Sequence, residues 1–179
     1  MFKYVNDVSN IAHNIIKNTI SRNTALDATL GNGFDTDFLS ALFKRVYSFD
    51  IQKHCIENYK QKHIDNVTLI NDSHANMDIY IKEPIDFAMF NLGFLPGGDK
   101  SITTNYESTV KALESTLKLL TCNGIVTIAL YPGHEAGKIE RDRLLRYAAF
   151  LPKQVYGVLH HSFINRENNP PELRVIEKK

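Results

Sequence analysis

Between Leu26 and Leu39 the chain reads Leu-Asp-Ala-Thr-Leu-Gly-Asn-Gly-Phe-Asp-Thr-Asp-Phe-Leu. An apolar run ends in an acid, Asp27, and passes through a G-x-G turn into a segment that opens with two more acids, Asp35 and Asp37. Glycines at 31 and 33 let a backbone turn sharply and come close to a ligand. About 20 residues after the glycines, Asp50 ends a second apolar run, where a carboxylate can accept hydrogen bonds from both hydroxyls of an adenosine ribose. Asp72-Ser73-His74 follows a third run and offers polar groups to an adenine edge. Asp50 and Asp72 could equally cap the helices that follow them, roles compatible with ligand binding.

These residues suit NAD or S-adenosylmethionine, and two features favour the second. A dinucleotide fingerprint needs a third small residue and a helix start free to hold a pyrophosphate, whereas Phe34-Asp35-Thr36-Asp37 stands there. Two carboxylates repel a diphosphate. Leu95-Pro96-Gly97-Gly98-Asp99-Lys100 lacks the spacing of a nucleoside-triphosphate loop.

The elements that must position these groups alternate. Val5, Val8, Ile11, Ala12, Ile15, Ile16 and Ile20 recur at helical spacing and predict an amphipathic helix before the first strand. Strands are predicted at Thr24 to Thr29, Arg45 to Phe49, Val67 to Asn71, Ile85 to Asn91 and Gly124 to Tyr131, apolar enough for burial on both faces. Helices are predicted at about Asp35 to Phe43, Gln52 to His63, Thr104 to Leu120 and Glu135 to Phe150, with an Asn123-Gly124 turn before the fifth strand. Gln154 to Ser162 and Glu172 to Glu177 read as a terminal antiparallel hairpin. Alternating strands and helices give a doubly wound α/β sheet that collects ligands at the carboxyl ends of its strands.

The chain has 179 residues, 43% hydrophobic and 23% charged, which predicts a single domain over residues 1–179. No apolar run approaches the roughly 20 residues of a membrane span. The first residues lack a secretory h-region, so a cytoplasmic location is expected. Cys55 and Cys122 have no CxxC spacing and read as reduced thiols, and no ligand cluster asks for a metal. A net charge of +1 gives no overall pull toward nucleic acid, although Lys138, Arg141, Arg143, Arg146 and Lys153 gather positive charge late in the chain.

The runs Asp27 to Thr36, Asn91-Leu92-Gly93-Phe94-Leu95-Pro96-Gly97-Gly98-Asp99-Lys100 and Tyr131-Pro132-Gly133-His134-Glu135 together resemble class I S-adenosylmethionine-dependent methyltransferases. Among these they resemble a compact bacterial family labelled as rRNA methylases, over nearly the whole chain. The resemblance implies a Rossmann-like class I methyltransferase sheet. It also implies methylation of 5-aminomethyl-2-thiouridine at the tRNA wobble position, which members of the family perform. By the same resemblance Asp27, Gly31, Asn32, Gly33, Asp35 and Thr36 surround the methionine part of the cofactor, Asp50 and Gln52 the ribose, and Asp72, Ser73 and His74 the adenine.

Asn91-Leu92-Gly93-Phe94 occupies the place of the Asn/Asp-Pro-Pro-Tyr/Phe motif of amino-methylating enzymes, with Leu-Gly replacing Pro-Pro. Asn91 and Gly93 are expected at the cofactor, Asn91 also aiming the acceptor amine. An alkylamine must lose a proton before it attacks, and His134, His74 or Asp99 could help. Phe94, Tyr106 and Tyr131 could stack on a splayed base, and Arg166 could meet a phosphate or another subunit. So small a domain offers limited surface to an anticodon stem-loop, which makes a homodimer the expected assembly.

Overall fold

Successive residues of the central strands face opposite layers, as the two-residue period of a strand requires. Ala25, Phe87, Met89 and Ala129 pack with Val8, Ile11, Ala12 and Ile16 of an N-terminal helix and with Leu39 and Phe43. Their neighbours Leu26, Ala88, Phe90 and Ile128 pack with Met77, Leu113 and Leu144 on the other side. The computed structural model describes residues 2, 4–17, 21–95, 97 and 103–179. Ile20, Asp99 and most of the Pro96 to Lys100 segment lie outside them.

The elements run α1 (Val8–Lys17), β1 (Thr24–Asp27), α2 (Phe34–Ser40), β2 (Arg45–Phe49), α3 (Lys53–Lys60), β3 (Val67–Ile70), a 3-10 turn (His74–Asn76), α4 (Met77–Tyr80), β4 (Ile85–Asn91), α5 (Tyr106–Leu119), β5 (Leu120–Leu130), α6 (Glu135–Ala149), β6 (Tyr156–His161) and β7 (Glu172–Lys178). They form one seven-stranded sheet in the order β3-β2-β1-β4-β5-β7-β6. Strands β1 to β5 pair in parallel, and β7 is antiparallel to both β5 and β6. The chain reverses its order of strands between β1 and β4, which opens a crevice at their carboxyl ends.

The structure departs from the sequence expectations in three places. β3 is an edge strand, and of its four residues only Ile70 is buried. Asn123 and Gly124 lie within β5, where Asn123 has φ 60° and the pairing with β4 shifts register between Ile85 and Phe87. An irregularity inside a strand thus takes the place of the expected turn. The terminal hairpin forms, but its second strand inserts next to β5 and leaves β6 on the outside. Among the described residues no helix is long and apolar enough to cross a membrane.

Candidate active site

The glycine turn is held by its neighbours as much as by its own conformation. Gly33, at φ 81°, precedes the first residue of α2. A Cβ there would stand 2.3 Å from the Tyr59 ring, so the position admits only glycine. Asp50, at the end of β2, accepts from the Gly31 N–H at 2.8 Å with one oxygen and from the Gln52 N–H at 2.8 Å with the other. The ribose acid of the sequence reading therefore also ties the loop after β1 to the loop after β2.

Asp27 is fully buried at the end of β1. Its carboxylate accepts from the Thr36 hydroxyl at 2.5 Å and the Thr29 N–H at 3.0 Å, and the Thr36 hydroxyl lies 2.7 Å from that of Ser48. Burial and then the nearby Asp35 push its pKa up to about 7, against the pull of those hydrogen bonds. Asp35, also buried, meets His13 Nε2 at 2.7 Å with one oxygen and accepts from the Asn91 side-chain amide at 3.1 Å with the other. Asp27, Asp35 and Asp50 thus gather at one edge with Asn91. Such a donor set fits a cation and ribose hydroxyls and repels a phosphate.

The segment after β3 is more self-contained than expected. Asp72 accepts from the Ser73 N–H, the Asn76 amide and the Tyr80 hydroxyl, and the first of these holds its carboxyl below the usual range. Ser73 caps the 3-10 turn through the Ala75 N–H. His74 is buried and donates from Nδ1 to the Ala28 carbonyl at 3.0 Å. Nε2 is then the unprotonated nitrogen, and it is buried without a partner among the described residues. Burial lowers the pKa of His74, which makes it a weak base and leaves it a hydrogen-bond acceptor.

At the acceptor side, the Asn91 N–H donates to the Thr29 hydroxyl at 2.9 Å. The Gly93 N–H donates to the Thr104 hydroxyl at 2.9 Å, and that hydroxyl donates to Glu140 at 2.9 Å. Glu140 also accepts from Thr109, and its burial raises its pKa. Tyr131 is half-buried, its hydroxyl near Ser9 and Asn91, and desolvation raises its pKa. Phe94 bridges to Thr103 and lies 5.7 Å from the His134 ring.

Other expected residues sit differently. His134 is the N-cap of α6, and its Nδ1 accepts the Gly137 N–H at 3.1 Å. A neutral imidazole so engaged carries its proton on Nε2, which is buried without a partner among the described residues. Tyr106 is half-buried against the core beneath the Arg143 guanidinium, 5.3 Å away. Arg166, expected to meet a phosphate or another subunit, is exposed and engages the chain's own backbone. It donates to the carbonyls of Val5 and Asn6 and stacks 3.5 Å above Phe163, clasping the N-terminal segment. The basic residues of α6 are largely paired, Arg141 with Glu172 and Asp142 and Arg143 with Glu107. Asn32 is exposed at the tip of the glycine turn.

His13, Thr104, Thr109 and Glu140 had no place in the sequence reading of the site.

The family model described as "Putative rRNA methylase" matches residues 46–177. A curated relative, "tRNA (mnm(5)s(2)U34)-methyltransferase, chloroplastic" of Arabidopsis thaliana, is 31% identical over 179 residues, 89% of this chain. The match spans 65% of that relative's length. Among solved structures, a protein of Clostridium thermocellum described as a putative rRNA-methylase shares 40% identity at TM-score 0.94, covering 98% of this chain and 99% of its own. A putative methyltransferase of Streptococcus mutans, solved in complex with SAH, shares 36% identity at TM-score 0.89 over 98% of this chain and 99% of its own. With its sheet order and its acid-lined crevice, the chain belongs to the rRNA methylase family and carries the class I methyltransferase fold.

Proposed function

We propose that this methyltransferase uses S-adenosylmethionine to methylate the aminomethyl nitrogen of 5-aminomethyl-2-thiouridine at the tRNA wobble position, giving 5-methylaminomethyl-2-thiouridine. The observation that carries the cofactor reading is the convergence of Asp27, Asp35 and Asp50 around the glycine turn. When bound, the cofactor supplies a methyl group made electrophilic by a positive sulfur. Asp50 would hold the ribose, and Asp27 with the Gly31 to Gly33 turn the methionine end. His74 and the Asp72-Ser73 turn would lie near the adenine.

Asn91 is the residue for orientation of the acceptor. Its amide NH₂ is committed to Asp35, which turns the side-chain oxygen away from that carboxylate and makes it available to an incoming amine N–H. Holding the amine lone pair in line with the methyl carbon is worth up to about 7 to 11 kcal/mol in oriented systems. The ammonium form of the amine must release a proton before its lone pair can attack, and the acidic edge that attracts the cation also favours that charged form.

The tRNA acceptor is supported by the Arabidopsis relative, and the family's description favours rRNA as the second reading. The assembly expected with an anticodon stem-loop is a homodimer, and light scattering tests it: a fully active monomer at working concentration removes it. The deciding experiment incubates the protein with labelled S-adenosylmethionine and tRNA from a strain lacking the gene, followed by nucleoside mass spectrometry. Methyl gain on 5-aminomethyl-2-thiouridine supports the reading. Label in rRNA alone replaces it with the second.

A further inference from the structure

We infer that His13 of α1 is a positioning residue for methyl transfer, acting on Asn91 through Asp35. The inference rests on the proposed role of Asn91 at the acceptor amine.

Three side chains from distant parts of the sequence form one line. His13 Nε2 lies 2.7 Å from Asp35 Oδ1, and Asp35 Oδ2 accepts from Asn91 Nδ2 at 3.1 Å. An ionised carboxylate only accepts, so both neighbours must present N–H groups to it. For His13 this places a proton on Nε2. For Asn91 it fixes which end of the amide faces Asp35, an orientation that packing alone would leave nearly degenerate. The carboxylate is itself constrained, because each of its oxygens is taken by a different neighbour. Loss of the His13 donor leaves a buried carboxylate oxygen short of a partner, and its rotation would release the amide of Asn91.

The rest of α1 is arranged to hold this contact. The His13 ring lies flat on Phe38, with centroids 3.7 Å apart and planes within 1°. Val8, Ile11, Ala12 and Ile16 anchor the helix to the sheet. Ser9, one turn before His13, faces the Tyr131 hydroxyl, which also lies near Asn91. One helix therefore touches the neighbours of Asn91 on two sides, a placement that a solvent-exposed polar stripe would not give. Helix α1 precedes the α/β core and supplies no strand, so this contact is its evident link to the chemistry.

Two substitutions separate the donor from the packing. His13→Phe keeps a ring to stack on Phe38 and removes the donor; His13→Gln keeps an N–H at similar reach and removes the ring. The side-chain NH₂ signals of Asn91, assigned by their loss in Asn91→Asp, are read in ¹H–¹⁵N spectra with and without S-adenosylhomocysteine. The expected result is a resolved, slowly exchanging pair in the wild type and His13→Gln, and averaged, fast-exchanging signals in His13→Phe. Turnover of His13→Phe should fall about 10- to 100-fold, as displaced reacting groups do, with cofactor affinity changed less than about 3-fold and His13→Gln restoring most of the rate. Wild-type Asn91 signals in His13→Phe overturn the inference, as does a rate loss that only follows the melting temperature. If the wild type methylates no tRNA, the substrate reading falls and the spectra still decide whether His13 orients Asn91.

Discussion

Thr104 and Gly93 are bound twice: the Gly93 N–H donates to the Thr104 hydroxyl at 2.9 Å, and the Thr104 N–H donates to the Gly93 carbonyl at 3.1 Å. The hydroxyl in turn donates a hydrogen bond to buried Glu140, so the backbone after Asn91 is fixed from α6. Thr104→Val keeps the shape and breaks this chain, leaving buried polar groups unpaired at a cost of about 1–3 kcal/mol. Urea denaturation should show that loss, and an unchanged midpoint would remove Glu140 from the support of the acceptor loop.

Asp27 should make the cofactor-free protein and its ligand binding respond to pH in opposite senses. Its carboxyl rises from 3.8 to about 7 on folding, so the folded state binds more protons between those values. The contribution of Asp27 to stability is then present below pH 3.8 and is lost as pH rises to about 7. The melting temperature of Asp27→Asn, compared with wild type across that window, should lack this component. A cationic ligand favours the carboxylate, so binding should release a proton below about pH 7 and tighten as pH rises toward it. Calorimetry in buffers of different ionisation enthalpy measures the proton; no release would separate Asp27 from the cationic part of the cofactor.

Gly33→Ala should be severe. The new Cβ meets Tyr59 at 2.3 Å and must adopt φ 81°, each of which costs about 1–3 kcal/mol. Moving Tyr59 aside also strains its hydrogen bond to Asp37. Thermal melting reads the cost, and a loss below 1 kcal/mol (roughly a tenth of typical stability) would mean that the turn relaxes freely.

His134 offers a choice between capping and catalysis. Its removal as His134→Ala should cost about 1 kcal/mol of stability, the usual value of a lost N-cap. His134→Ser restores a cap and should restore activity with it. A stable but inactive His134→Ser protein would instead return His134 to the chemistry.

Asp50→Ala should weaken S-adenosylhomocysteine binding by about 1–3 kcal/mol, because the ribose partner and the tether of Gly31 are lost together. Equilibrium titration decides it, and unchanged affinity would leave Asp50 with only its role in holding the loop.

The parts of the site that were legible in the sequence are those made by short stretches at strand ends. Asp27, the glycine turn and Asp50 follow one another within two β-α units, and chain order alone brings them to one edge. Contacts between distant segments left no such pattern. His13 meets Asp35 across 22 residues, Asn91 meets Asp35 across 56, and Thr104 meets Glu140 across 36. Each of those residues has an ordinary local reason to be polar. Arg174 was not legible either, for a different reason. It lies between Leu173 and Val175, is 1% exposed, and burial pulls its pKa down to about 10. The hairpin of β6 and β7 was readable from its turn residues, but turn chemistry does not say which of two strands will lie inward.

That inward strand bears on how the molecule comes together as it is made. Among the described residues strand β6 pairs with β7 alone, and β7, synthesised after it, ends up between β6 and β5. Until Glu172–Lys178 has left the ribosome, β5 keeps an open edge and β6 has nothing to pair with. The nascent chain can assemble its ligand crevice early, from β1, β2 and β4, but closes its hydrogen-bonded ladder last, through contacts distant in sequence that form slowly. In that interval the edge of β5 is open to mispairing with another chain.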